Sequence, residues 1–414
     1  MVNRTPFGVA VVGGGAAGLT AAIAARRKGA NVVILERMDR VGKKILATGN
    51  GRCNLSNTDL SIDNYHGANP KFAYSAFSRF DFNQTMEFFE RLGVTCKVEE
   101  GGKVYPASDQ ASSVLDVLRH ELETLEVETI CGAGVKDISG SREGFVLSLG
   151  EERYIQARRV IIATGGRAAP NLGSNGSGYE LAEKFGHTII EPFPALVQLK
   201  LGAEFLKQIS GIKFIGEAEL LAGGRSLARA GGEILFTDYG ISGPPVFCLS
   251  RTAGECLRRG EKIMLKVCLI SYMTGEELDA YLYNRLQQQA HKTLAFSFVG
   301  FINKRLAPVL LRQAGIDDVN KPAGQVTAEE RKRILSILQD WRFEVTGTNS
   351  WQSAQITAGG VDVRDINQKT MESRLVPGLY FAGEVMDIDG ACGGYNLQWA
   401  WSSGFVAGES SARW

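Results

Sequence analysis

The sequence predicts an α/β fold in which a dinucleotide-binding domain is built in two parts and interrupted by an insert of strands and helices. Three observations predict it. The apolar run Phe7 to Val12 breaks at the glycine-rich turn Gly13 to Gly18 and resumes as an alanine-rich helix to about Lys28. A second apolar strand, from Arg159, ends in Ala163, Thr164 and Gly165. Near the C-terminus a short strand, Leu379 to Ala382, stops at Gly383 and leads through three carboxylates to a small-residue helix starting at Tyr395.

The first element is a parallel strand, because a run apolar on every residue suits burial on both faces. Gly13, Gly15 and Gly18 fill the three positions of the dinucleotide fingerprint. The first allows the tight turn, the second lets a pyrophosphate approach the backbone, and the third lets helix and strand pack closely. Ala16 and Ala17 open the helix, whose free N–H groups and dipole favour an anion. The next strand, Asn31 to Leu35, ends in Glu36, where the fingerprint wants an acid for a ribose hydroxyl. Arg37 follows it, and then a basic loop punctuated by glycines, Gly42 to Asn54 (GKKILATGNGRCN). An ordinary nicotinamide-binding unit would continue with another βαβ repeat, so this loop points to a protein covering a flavin dinucleotide. Lys43, Lys44 and Arg52 are candidate partners for pyrophosphate or a substrate anion. Thr48, Gly49, Cys53 and Asn54 belong to the same expected cofactor loop.

From Tyr74 to Leu92 an aromatic stripe reads as helices packed on a core, and Ser112 to Thr124 as a further helix. A strand at Val127 to Ile130 leads to Val135, the candidate for backbone contact with an adenine. A hairpin, Gly144 to Leu149 and Tyr154 to Ala157, precedes the strand ending in Ala163, Thr164 and Gly165, which brings the chain past the cofactor again. Gly173 to Gly178 (GSNGSG) opens a helix at Tyr179 and reads either as a capped loop or as a cofactor contact.

At Pro192 to Pro194 the texture changes. Leu196 to Leu201, Phe214 to Leu221, Glu233 to Phe236 and Lys262 to Leu269 suggest an antiparallel sheet or small barrel. Phe236 to Pro245 reads as a turn-rich loop with proline placed to start a helix. Helical periodicity follows over Glu276 to Gln289, Lys304 to Gln313 and Thr327 to Trp341, with Thr327 and Glu330 as a capping box. The expected domains are thus 1–190 and 354–414 for the dinucleotide domain, 191–272 with 342–353 for a barrel, and 273–341 for a helical subdomain.

In the C-terminal motif Gly383 stops the strand, and the carboxylates of Glu384 and Asp387 can accept hydrogen bonds from sugar-alcohol hydroxyls. Gly394, Tyr395, Asn396 and Leu397 form a helix start whose N–H groups suit the pyrimidine edge of a flavin.

Composition excludes several classes. The chain has 414 residues, a net charge of +1 and no basic run, which argues against nucleic acid. No apolar stretch reaches the roughly 18 residues that span a bilayer. Seven cysteines lack a CxxC pair or metal spacing, and the four histidines do not cluster, so no metal site is expected. Together with an N-terminus that enters a strand at once, this gives the expectation of a cytoplasmic protein.

The whole chain resembles the BaiN/YhiN-like bacterial FAD-dependent oxidoreductases, whose members include dehydro-bile-acid reductases and aminoacetone oxidases. The resemblance rests most on Gly42 to Asn54, on Phe236 to Pro244 (FTDYGISGP), and on Thr370 to Ser373 (TMES) through Gly394 to Gln398 (GYNLQ). It implies a glutathione-reductase-like, two-part Rossmann FAD domain interrupted by a β-barrel and helices. FAD contacts are implied at Gly13, Gly15, Ala16, Gly18, Glu36, Lys43, Lys44, Val135, Gly383, Asp387 and the Asn396–Leu397 helix start. The expected function is NAD(P)H-linked hydride transfer through flavin N5 to an unsaturated or carbonyl small molecule, with no separate NAD(P)H domain. Alternatives are an amine oxidase passing electrons to oxygen, or a structural or sensory FAD with a partner-binding insert. Catalytic residues are open: Tyr395, Arg52 and Cys53 are candidates, and Cys53 with Cys392 invites a redox pair.

Overall fold

The computed structural model describes residues 6–141 and 144–413. It divides into two compact units, one from the chain up to Pro194 and from Ala354 onward, the other from Ala195–Ser353.

The first unit is built on a seven-stranded sheet. Its strand order is Glu128–Ile130, Val32–Leu35, Phe7–Val12, Arg153–Ile162, Gly144–Gly150 and Asp137–Ser141, with Leu379–Phe381 also paired to Arg153–Ile162. Phe7–Val12 is buried along its whole length between parallel neighbours, as its unbroken apolar run requires. Where the sequence suggested a hairpin arm followed by a separate strand, one continuous strand runs from Arg153 to Ile162. Its polar first half pairs antiparallel with Gly144–Gly150, and its apolar second half pairs parallel with Phe7–Val12 and Leu379–Phe381. The N-terminal helix (Ala16–Arg27) packs on the C-terminal helix (Tyr395–Ser411). Gly404 and Gly408 make this close: a Cβ at each would sit 2.4 and 2.2 Å from the carbonyl oxygens of Ala17 and Ala21.

In the second unit six strands close a barrel in the order Leu199–Leu201, Gly240–Ser242, Arg225–Phe236, Lys213–Ala222, Ile263–Cys268 and Trp341–Thr348. Leu220, Ile234, Phe236, Leu265 and Phe343 are among the side chains filling it. The strand expected at Glu233 begins eight residues earlier, at Arg225, and the expected loop 236–245 contains the short strand Gly240–Ser242 before a helix, Pro244–Arg258. Helices Gly275–Gln288, Leu306–Gln313 and Ala328–Gln339 complete the unit. The Thr327–Glu330 capping box is formed in both directions. No helix among the described residues is long and apolar enough to cross a membrane.

One buried histidine ties the fold to pH. His187 is 3% exposed, its Nε2 lies 2.8 Å from Ser373 Oγ, and its Nδ1 has no hydrogen-bond partner. Burial holds its pKa below the ordinary value, so the unfolded chain takes up the proton first. Stability is therefore lost as pH falls below about 6.5, with this group adding a slope of up to about 1.4 kcal/mol per pH unit. Urea unfolding between pH 7 and pH 5 should show that slope, and His187→Gln should remove its share; equal slopes in the two chains would clear His187.

Candidate functional site

The glycine turn meets the end of the long strand. A Cβ on Gly13 (φ +105°) would lie 2.5 Å from Ala163 O, and one on Gly18 would lie 1.9 Å from Gly13 O. These two glycines are demanded by backbone packing alone. Gly15 differs: its φ is an ordinary −83°, and a Cβ built there meets nothing within 4 Å. Gly15 is also the N-cap of the helix that Ala16 and Ala17 open, and no side chain caps it. An open cradle before uncapped N–H groups is a place for an anion.

Glu36 borders this cradle and is 8% exposed. Its Oε2 accepts from Gly14 N and its Oε1 from Met38 N, both at 2.7 Å. A carboxylate has about four acceptor positions, so two stay available for ribose hydroxyls. The donor set and the cradle therefore fit a dinucleotide. Arg37 turns away, donating to Gly173 O at 2.8 Å and Pro170 O at 3.1 Å. A Cβ built on Gly134 would lie 3.3 Å from Arg37 Cβ, which puts the buried Val135 near that end, in irregular backbone before Asp137–Ser141 and not in a strand. Thr164 and Gly165 pack on the 173–178 loop: a Cβ on Gly178 would meet Thr164 Oγ1 and one on Gly165 would meet Ser174 Oγ.

The C-terminal motif lies against the same turn, since a Cβ on Gly383 would be 2.7 Å from Ala17 Cβ. Glu384 is held by Lys44 Nζ at 2.7 Å through Oε2 and by Thr357 N at 2.8 Å through Oε1. Asp387, 2% exposed, accepts from Ala68 N at 2.7 Å. Lys43 pairs with Asp39 instead of pointing to a common centre with Lys44.

Six expected residues have other engagements. The Arg52 guanidinium reaches Glu99 and Asp109, each at 2.5 Å, and lies 3.9 Å above the Tyr105 ring, so two carboxylates already balance its charge. Those partners sit 47 and 57 residues away, beyond any local pattern. Cys53 is wholly buried at φ +64°, and burial pushes its thiol up to about 12. Such a thiol packs and stays protonated. Cys392 is also free, with its thiol raised by burial. Thr48 Oγ1 donates to Ile45 O, Gly49 packs beside Tyr105, and Asn54 Oδ1 accepts from Val104 N.

The helix start is tightly braced. Gly394 is its N-cap at φ +103°. Asn396 bonds Gly390 through both amide atoms, Tyr395 O accepts from Tyr65 OH, and Leu397 packs on the core. Ser56 and Asn57, which the sequence pattern does not single out, complete the brace with Gln398: Ser56 Oγ donates to Gln398 Oε1 at 2.6 Å. Buried polar residues joined over more than 300 positions leave no periodic signal.

Comparisons with known proteins identify the family. The chain is 40% identical to the 3-dehydro-bile acid delta(4,6)-reductase of Clostridium scindens, over 98% of both chains. It is 30% identical to the ribosomal RNA dihydrouridine synthase of Escherichia coli, over 97% of both. Its fold matches the 3-ketosteroid delta1-dehydrogenase of Sterolibacterium denitrificans with a TM-score of 0.53 at 12% identity, covering 99% of this chain and 100% of that one. The family described as HI0933-like protein Rossmann domain matches residues 7–410, and the chain belongs to that family as a flavin-dependent oxidoreductase.

Proposed function

We propose that the protein is an FAD-dependent reductase that adds hydrogen across a carbon–carbon double bond conjugated to a carbonyl, on a small, largely apolar molecule of the 3-oxosteroid kind. NAD(P)H is the proposed electron donor. The observation that carries this reading is the 40% identity, nearly end to end, with a reductase named for such a bond. The dihydrouridine synthase relative is named for saturating a pyrimidine, and uracil too has its double bond conjugated to a carbonyl. The two names therefore share one reaction type on different substrates.

FAD, when bound, supplies the hydride chemistry through N5. The chain supplies binding and orientation. Gly15 leaves room for pyrophosphate, Glu36 receives ribose hydroxyls, and Glu384 or Asp387 receives ribityl hydroxyls. The N–H groups at Gly394 to Leu397 would suit the pyrimidine edge and favour negative charge there. Val135 and Ala163 to Gly165 would line the remainder.

Charge favours the small molecule over RNA. On the barrel, Lys213 pairs with Glu233, Arg229 with Glu217, Lys266 with Glu219 and Arg342 with Asp340. Alternating pairs of this kind make a poor phosphate track, because affinity for nucleic acid comes from unneutralised cations. The test is anaerobic turnover with NADH or NADPH against a 3-oxo-4-ene steroid, an unmodified ribosomal RNA transcript and oxygen. The steroid should be favoured in kcat/KM by about 100-fold or more, some 2.7 kcal/mol in barrier. Preference for RNA would replace the substrate reading, and rapid peroxide formation would indicate an oxidase.

A further inference from the structure

The segment Ser56–Asn57 pairs antiparallel with Lys103–Pro106, which pairs in turn with Cys96–Val98. Asn57 is 2% exposed and all of its amide is used. Its Nδ2 donates to Gly101 O and to Gly393 O, each at 3.0 Å, and its Oδ1 accepts from Asp59 N at 2.9 Å. The Gly393–Gly394 turn lies flat on this segment: a Cβ on Gly394 would be 2.2 Å from Ser56 O. Both glycines have positive φ, +142° and +103°.

A Gly–Gly peptide has little steric resistance to rotating as a unit, so something must choose its orientation. In a trans peptide the N–H and C=O point in opposite directions. By holding Gly393 O, Asn57 therefore directs the Gly394 N–H away from itself. We propose that Asn57 is a positioning residue for the redox reaction: it fixes the Gly393–Gly394 peptide so that an N–H, and not a carbonyl oxygen, is presented with the helix N-terminus to the reduced flavin. The inference rests on the FAD reading given above. With the peptide reversed, a carbonyl dipole would face the negative charge of the reduced ring and disfavour it.

Asn57→Asp keeps the shape but replaces the donor with a carboxylate facing two carbonyl oxygens. The FAD-loaded variant should lose about tenfold in preference for reduced over oxidised flavin, which lowers the two-electron midpoint potential by about 30 mV. Asn57→Ser, too short to reach Gly393 O, should move the potential the same way and serves if the aspartate variant does not fold. Thr85→Val is the control for lost stability alone. Thr85 accepts from the same buried Gln398 at 2.8 Å without touching the glycine turn, so this variant should lower Tm and keep the wild-type potential. Wild-type potentials in both Asn57 variants would reduce Asn57 to a packing residue, as would a shift in Thr85→Val of the same size. A wild-type protein that takes up no FAD would instead overturn the cofactor reading on which the inference stands.

Discussion

Gly15→Val yields a folded, colourless protein. The backbone at Gly15 is in a region any residue adopts, and the space beside it is open, so the substitution neither strains nor clashes within the chain. The valine side chain instead fills the cradle before the helix N-terminus. FAD affinity should fall by at least about 100-fold, or about 2.7 kcal/mol, while the cofactor-free protein keeps its Tm. Gly18→Ala gives the opposite pattern: its Cβ falls 1.9 Å from Gly13 O, so the fold itself loses stability. Absorbance at the flavin band and thermal unfolding of the cofactor-free chains separate the two. A yellow Gly15→Val protein of wild-type affinity would mean that the pyrophosphate lies elsewhere.

Gly408→Val should strongly destabilise the first unit without touching a cofactor residue. Its Cβ would stand 2.2 Å from Ala21 O, between two helices that carry the N- and C-terminal parts of the unit. Relief requires the helices to separate, because the obstacle is backbone. Overpacking in cores typically costs 1–3 kcal/mol, and a backbone collision places this case at about 3 kcal/mol or above. Trimming the facing side chain with Ala21→Gly should restore nothing, since the carbonyl remains. Urea unfolding of the single and double variants decides the matter: recovery in the double variant would locate the conflict in the Ala21 methyl instead.

How much was legible in the sequence follows from the range over which each feature is encoded. The glycine turn, its strand and helix, and Glu36 lie within 30 residues and obey short-range rules, and the structure brings them together as expected. The small-residue helix from Tyr395 was equally plain, because glycine and alanine spaced four apart announce close packing. The long strand Arg225–Phe236 was not, since its outer face is polar and Gly231–Gly232 interrupts its alternation. Arg153–Ile162 was divided in reading because its two halves face different neighbours and so carry different patterns. Arg52 shows the limit of reading charge locally: an arginine among glycines suggests an anion site, yet Glu99 and Asp109 take it. The Asn57 and Gln398 contacts depend on partners at the far end of the chain and have no local signature at all.

The most direct measurement of the central claim is single-turnover reoxidation. The purified, FAD-loaded protein is reduced anaerobically and mixed in a stopped-flow instrument with a 3-oxo-4-ene steroid, while the flavin absorbance is followed. The account predicts that the yellow band returns in one phase whose rate rises with steroid concentration, with one saturated product per flavin. A flavin that stays bleached with the steroid and with every other conjugated carbonyl acceptor, yet reoxidises promptly in air, would contradict it.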